Sequence, residues 1–254
     1  MSNFIEERIE TWKFPPTRSK SGHIKYKHDL KHIIYAKTDI FGDEPVIMTS
    51  DLHSHPMAVF ERLRHDTDID FTKYNVLMVG DMAGNLIRGS DGNPTKFYNY
   101  VINTLKVKSL YIVQGNHDLP PKQCTECTPQ QKLEVQKHIL RDGETVKTPL
   151  GKIGGVNGTC SFKPHPYKMP YEKFYGYMNK LVAQKPDILL THDTPKFSIK
   201  GDEFIGNEDI YKYALKIKPK VYVFGHCHHK LYHSMHNGTH FFNVDARVLI
   251  CNPT

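Results

Sequence analysis

Long apolar runs are missing from this 254-residue chain: no stretch approaches the roughly 18–20 residues that a membrane span requires. The first sixteen residues hold no apolar core either. Glu6, Glu7, Arg8, Glu10 and Lys13 interrupt them, which speaks against a secretory signal. Cysteine is scarce and odd in number, five in all: Cys124, Cys127, Cys160, Cys227 and Cys251. That scatter excludes a secreted disulfide framework and suits reduced thiols. Internal repeats and low-complexity tracts are also lacking. These absences lead to the expectation of a soluble, cytoplasmic protein with no membrane partner.

What is present is the composition of a globular enzyme-sized chain, 39% hydrophobic and 24% charged, enough to bury one large core. The net charge of +7 favours anionic partners such as nucleic acids or phosphorylated substrates, although diffuse basicity of this size is common. The densest basic block runs from Arg18 through Lys20, His23, Lys25 and Lys27 to His28, Lys31 and His32. It interleaves aromatics with cations, so it suits a nucleic-acid backbone or, equally, a solvated hairpin. A protein that binds nucleic acid through it would lose affinity when Lys20, Lys25 and Lys27 are neutralised. Cys124-Thr125-Glu126-Cys127 is a lone C-x-x-C. A structural zinc needs about four ligands, and Cys160 or His138 would have to complete the set. A solvent-facing loop is the simpler expectation.

Five short apolar runs each stop on a residue that can bind a metal. Pro45–Ser50 precedes Asp51 and His53, Asn75–Val79 precedes Gly80-Asp81, and Leu110–Gln114 precedes Gly115-Asn116. Asp187–Thr191 precedes His192, and Lys220–Phe224 precedes Gly225-His226-Cys227-His228. Strands that end in this way line their ligands along one sheet edge, where open α/β sheets bind. Between them the 3.6 period predicts helices from Pro56, over Thr95–Lys106, over Tyr171–Ala183 and over Asn207–Ile217. His236-Asn237-Gly238 between two alternating runs predicts a hairpin. The alternation from Pro45 onward reads as α/β. Residues 1–44 read as an N-terminal extension packed on a domain of residues 45–254. An excursion near 120–151 would carry one short helix near Gln130–Leu140.

Seven candidate donors, Asp51, His53, Asp81, Asn116, His192, His226 and His228, exceed what one ion needs with positions left open for substrate. Two divalent ions sharing a bridging carboxylate would use them all. Mixed oxygen and imidazole donors suit Mn²⁺ first, with Fe, Zn²⁺ or Ni²⁺ as alternatives. A two-metal site clamps both oxygens of an in-line phosphoryl displacement and supplies hydroxide near neutral pH. His117, followed by Asp118, is placed to protonate the leaving alkoxide. His55, Asn85, Arg88 and His229 lie beside these motifs as candidate substrate contacts, and Arg247 is a further candidate for phosphate.

The order Asp51-Leu52-His53, Gly80-Asp81, Gly115-Asn116-His117-Asp118, Thr191-His192, Gly225-His226-Cys227-His228 resembles the calcineurin-like metallophosphoesterase superfamily across residues 46–244. The resemblance implies a four-layer αββα sandwich, two mixed β-sheets flanked by helices. It implies one ion on Asp51, His53, Asp81 and His228, another on Asp81, Asn116, His192 and His226, and His117 as general acid. The phosphoprotein phosphatases of that superfamily continue the second motif as G-D-x-V-D-R-G. Here Gly84 and Asn85 replace its Asp and Arg, so a protein phosphatase is not the expectation. The tail and the Thr191–Pro195 turn are similar to small phosphodiesterase-like members, the metallophosphoesterase-domain proteins. The expected function is therefore a metal-dependent phosphodiesterase acting on a nucleotide or nucleic-acid-related ester. A small-molecule phosphomonoesterase is the runner-up, and a non-catalytic metal-binding scaffold ranks below it.

Overall fold

The computed structural model describes residues 3–15, 29–82, 93–162, 167–196, 205–227 and 229–254. The first sheet contains β1 (Phe4–Phe14), β2 (Asp29–Thr38), β3 (Val46–Ser50), β4 (Asn75–Val79) and β5 (Ser109–Val113). The second contains β6 (Thr145–Thr148), β7 (Gly151–Val156), β10 (Ile188–Thr191), β11 (Val221–Phe224), β12 (His233–His236) and β13 (Thr239–Asn243). A small pair, β8 (Thr159–Cys160) and β9 (Lys168–Met169), stands apart. The final strand, β14 (Arg247–Asn252), returns to the first sheet, whose order is β1-β2-β14-β3-β4-β5. The second sheet runs β12-β13-β11-β10-β7-β6. Each sheet mixes parallel and antiparallel pairs.

The five strands expected to carry ligands form as β3, β4, β5, β10 and β11. In each, every second side chain faces a different apolar layer. Met48, Leu77, Val79 and Leu249 of the first sheet meet Ile153, Leu190, Val223 and Phe242 of the second between the sheets. Ile47, Val76, Met78 and Ile112 face outward onto α1 (Pro56–Asp66) and α2 (Thr95–Tyr100), through Val59, Phe60, Phe97 and Tyr98. Leu189, Tyr222 and Phe241 face the opposite way, onto α4 (Tyr171–Gln184) and α5 (Glu208–Ile217), through Phe174, Met178, Leu181 and Ile210. The architecture is thus α/β, two mixed sheets packed face to face between two helical layers. Strands covered on both faces explain why the sequence runs are continuously apolar rather than alternating.

The helix beginning at Thr95 keeps α-geometry only to Tyr100. It continues as a π-helical turn over Val101–Leu105 and stops at Lys106, whose φ is 52°. The segment from Pro120 to Gly151 contributes α3 (Pro129–His138), closed by a Thr128–Gln131 capping box, and then β6, the edge strand of the second sheet. Positive φ at Asn237 (50°) and Gly238 (82°) turns β12 into β13, as a two-residue hairpin loop demands. Cys124 and Cys127 are buried, and the Cys124 thiol contacts the Cys127 sulfur at 2.8 Å. The solvent-facing loop expected there is corrected accordingly: the two sulfurs turn inward. None of the helices formed by the described residues is long and apolar enough to cross a membrane.

Candidate metal centre

The loops that leave β3, β4, β5, β10 and β11 meet at one edge and are stitched together by backbone hydrogen bonds. Asp51 N–H donates to the Gly80 carbonyl at 3.0 Å, His53 N–H to that of Asp81 at 2.9 Å, and Gly225 N–H to that of His192 at 3.3 Å. Asp51, His53, Asp81 and His226 all adopt positive φ, between 46° and 70°. Non-glycine residues rarely do so, and such strain concentrates where side chains must be aimed. Glycine precedes three of the donors, Asp81, Asn116 and His226, because nothing larger fits: a Cβ on Gly80 would overlap the Gly115 backbone nitrogen. A Cβ on Gly115 would overlap Asp81 Oδ1, and one on Gly225 would overlap Ser50 Oγ, with Asp51 Oδ2 close behind.

Asp51, His53 and Asp81 present donor atoms that all lie within 4.8 Å of one another. Asp51 Oδ1 is 3.7 Å from His53 Nε2. Asp51 Oδ2 accepts the Ser50 hydroxyl at 2.6 Å and the His226 N–H at 2.9 Å. Asp81 Oδ2 lies 3.9 Å from His53 Nε2 and 3.4 Å from His192 Nε2. His192 is wholly buried, and its Nδ1 sits 2.7 Å from the Val79 carbonyl. That contact places a proton on Nδ1 and aims Nε2 at the site. Asn116 Oδ1 stands 3.2 Å from the same Nε2. The His226 ring packs on His192 with centroids 5.1 Å apart. Oxygen and imidazole acceptors thus converge.

This arrangement needs positive charge. Burial pushes the Asp51 carboxyl up, and Asp245 adds to the effect. Burial alone would lower His192, but the Asp81 and Asp51 carboxylates outweigh it and raise the ring to about 10. The carboxylates thus favour positive charge here, and Asp51, His53 and Asp81 are a group that could hold a metal ion. Hard carboxylate oxygens beside imidazoles are a donor set that divalent transition ions accept.

His117 adjoins the cluster. Its ring is half-buried, 5.9 Å from that of His53, and its N–H donates to Asp81 Oδ1 at 2.9 Å. Asp118 is buried, and one of its oxygens accepts the N–H groups of Asp81 and Gly115. Burial and the Asp81 charge push its carboxyl up to about 8. His55 faces inward, with Nε2 3.7 Å from Asp29 and its ring stacked on Phe14. His229 is buried against Phe224. Arg247 directs its terminal nitrogens to the carbonyls of Asp245 and His229. His228, Gly84, Asn85 and Arg88 lie outside the described residues, as do Lys20, Lys25 and Lys27. The sequence reading missed Ser50, Asp29 and Lys31. The last two are opposite charges two residues apart, which on a strand share one face.

A family model of calcineurin-like phosphoesterases matches residues 44–230. The chain belongs to that family. Among solved structures, the calcineurin-like chain resembles TT1561 of Thermus thermophilus with a TM-score of 0.58 and 15% identity, over 80% of this chain and 90% of that one. Vacuolar protein sorting 29 from Cryptosporidium parvum aligns at a TM-score of 0.38 and 18% identity, over 79% of this chain and 72% of that one. A 5'-nucleotidase precursor, also from Thermus thermophilus, aligns at 0.38 and 14% identity, over 83% of this chain and 48% of that one. At 15% identity the likeness to TT1561 concerns the fold. A search of curated protein sequences finds no match.

Proposed function

We propose that this calcineurin-like phosphoesterase is a two-metal phosphodiesterase acting on a nucleotide or nucleic-acid-related ester. The observation that carries the reading is the convergence of Asp81 Oδ2, Asn116 Oδ1 and His192 Nε2, next to the Asp51–His53–Asp81 group. Asp51, His53 and Asp81 would hold one ion together with His228. Asp81, Asn116, His192 and His226 would hold the other. Divalent ions there, Mn²⁺ foremost for this donor set, supply Lewis acidity toward the phosphoryl oxygens and acidify water. His117, half-buried beside His53, would give its ring proton to the departing oxygen. Asp118 holds the backbone that aims both Asp81 and Asn116.

Preference for a diester rests on scarce cationic help. A monoester dianion gains from an extra bidentate cation. Asn85 stands where phosphatases of the family carry arginine, and Arg247 is occupied by backbone carbonyls. The charge of +7 favours a polyanion. Free cysteines throughout fit a reducing compartment, the cytoplasm.

The test compares bis-p-nitrophenyl phosphate with p-nitrophenyl phosphate at saturating Mn²⁺, alongside elemental analysis. Faster diester turnover by a protein carrying two ions supports the proposal. A much faster monoester would make it a phosphomonoesterase, and bound metal without turnover would make it a scaffold.

A further inference from the structure

The first strands of the chain reach the metal centre. β2 runs parallel to β14 and β14 antiparallel to β3, so the beginning of β2 lies at the same edge as the end of β3. His32 is level with Arg247, and Arg247 with Ser50. Lys31, one residue before His32, therefore stands level with Asp51, on the far side of β14. β14 starts only at Arg247, after Ala246 at a φ of 52°. Lys31 reaches past that start. Its Nζ donates to the Asp51 carbonyl at 3.2 Å and pairs with Asp29 Oδ1 at 3.0 Å. Lys31 is 0% exposed and Asp29 2%. The second Asp29 oxygen is 3.7 Å from His55 Nε2, and His55 stacks on Phe14, the last residue of β1, with centroids 5.1 Å apart.

A buried ion pair is poor economy for stability alone, because apolar residues of the same volume commonly serve as well or better. Its geometry gives the pair another use. Asp51 and His53 both sit at positive φ, and the peptide between Asp51 and Leu52 sets the relative aim of their side chains. An ammonium fixed by Asp29 and bonded to that peptide's oxygen locks its plane.

We infer that Lys31 is a positioning residue for the metal centre: with Asp29 it fixes the Asp51–Leu52 peptide so that the Asp51 carboxylate and the His53 imidazole face one point. The N-terminal hairpin, outside the matched span of 44–230, is then a working part of the site. The inference rests on the reading of this cluster as a metal centre. It makes a prediction opposite in sign to simple electrostatics. Removing a cation beside the site would by Coulomb's law tighten the binding of a metal ion, whereas loss of positioning weakens it.

The experiment measures Mn²⁺ affinity by calorimetry on the full chain, and kcat and KM on the better of the two nitrophenyl esters. It compares the wild type, Lys31→Met, and the double variant Lys31→Met with Asp29→Asn, with thermal unfolding of each metal-free protein as a control. The double variant removes both charges of the Lys31–Asp29 pair, so it keeps the test alive if the single one unfolds. The expected result is a loss of Mn²⁺ affinity of about 10-fold or more in the folded variants, with kcat falling more than KM rises. Wild-type or tighter Mn²⁺ binding in a folded double variant overturns the inference and leaves the metal centre standing. A wild-type protein that binds no Mn²⁺ overturns both.

Discussion

Asp118 holds Asp81 by its backbone: one carboxylate oxygen accepts the Asp81 N–H at 3.0 Å and the Gly115 N–H at 2.9 Å. The loops after β4 and β5 are thereby tied at the point where each delivers a donor. Asp81 Oδ1 in turn accepts the His117 backbone N–H at 2.9 Å. Replacing Asp118 with Ala leaves two buried N–H groups without this acceptor, at about 1–3 kcal/mol for each. The expected outcome for Asp118→Ala is a lower urea midpoint and Mn²⁺ affinity reduced about 10–100-fold. Asp118→Asn keeps a carbonyl acceptor and is expected to lose less. Equal losses in the two variants would argue for the charge rather than the tether.

Gly115 is the tightest point of the same junction. A methyl group there falls on Asp81 Oδ1 and the Asp81 backbone nitrogen. Neither neighbour is the loose end of a flexible chain, so relief requires the two loops to part. Gly115→Ala is expected to abolish Mn²⁺ binding and turnover together, with destabilisation of a few kcal/mol from overpacking. Calorimetry and thermal unfolding check it. A folded Gly115→Ala protein with normal metal binding would show that the junction yields more easily than its contacts imply.

The contribution of the sequence differed by kind of feature. Strand ends were legible because burial on both faces of a parallel sheet demands unbroken apolar runs, and each run stops where a polar donor begins. Asp51, His53, Asp81, Asn116 and His192 could therefore be ordered along one edge from the sequence alone. Partnerships across elements were not legible. Nothing local shows that Lys31 spans the start of β14, or that His55 turns to Phe14 rather than to the opening. The π-helical turn after Tyr100 keeps the same apolar spacing as an α-helix over its few residues, so periodicity could not separate them. Cys124 and Cys127 read as exposed because their neighbours are polar. Burial there is decided by tertiary packing.

His117 is half-buried beside His53, and its backbone N–H is anchored to Asp81. Loss of its ring should spare the donors and remove only a proton source. His117→Ala is expected to keep wild-type Mn²⁺ affinity. Turnover should fall roughly 10²–10⁴-fold on an ester with a poor leaving group. On a p-nitrophenyl ester the fall should be far smaller, because nitrophenolate departs without protonation. Comparing an alkyl with a nitrophenyl phosphodiester reads the difference. An equal loss on both would assign His117 to substrate binding instead of acid catalysis.

On the strands of the last hairpin, His233 and His240 share a hydrogen bond of 3.1 Å between Nε2 and Nδ1. His233 also stacks on Phe242 at 4.7 Å. Burial, with His240 beside it, pushes His233 down from 6.5 to about 4. The folded form thus resists a proton that the unfolded chain accepts. Between pH 6.5 and pH 4 the unfolded state binds more protons, so stability falls as the pH falls through that window. Below it both states are protonated and this contribution levels off. Replacing His233 with Gln removes the titration while keeping a polar partner for His240. The wild-type melting temperature is expected to drop more steeply than that of His233→Gln between pH 6.5 and 4, by about 2–4 °C. Circular-dichroism melts of the metal-free proteins across that range measure it, because without bound ions the ligand carboxylates titrate alike in both. Parallel curves would place the His233 proton equilibrium at its ordinary value and the acid sensitivity elsewhere in the fold.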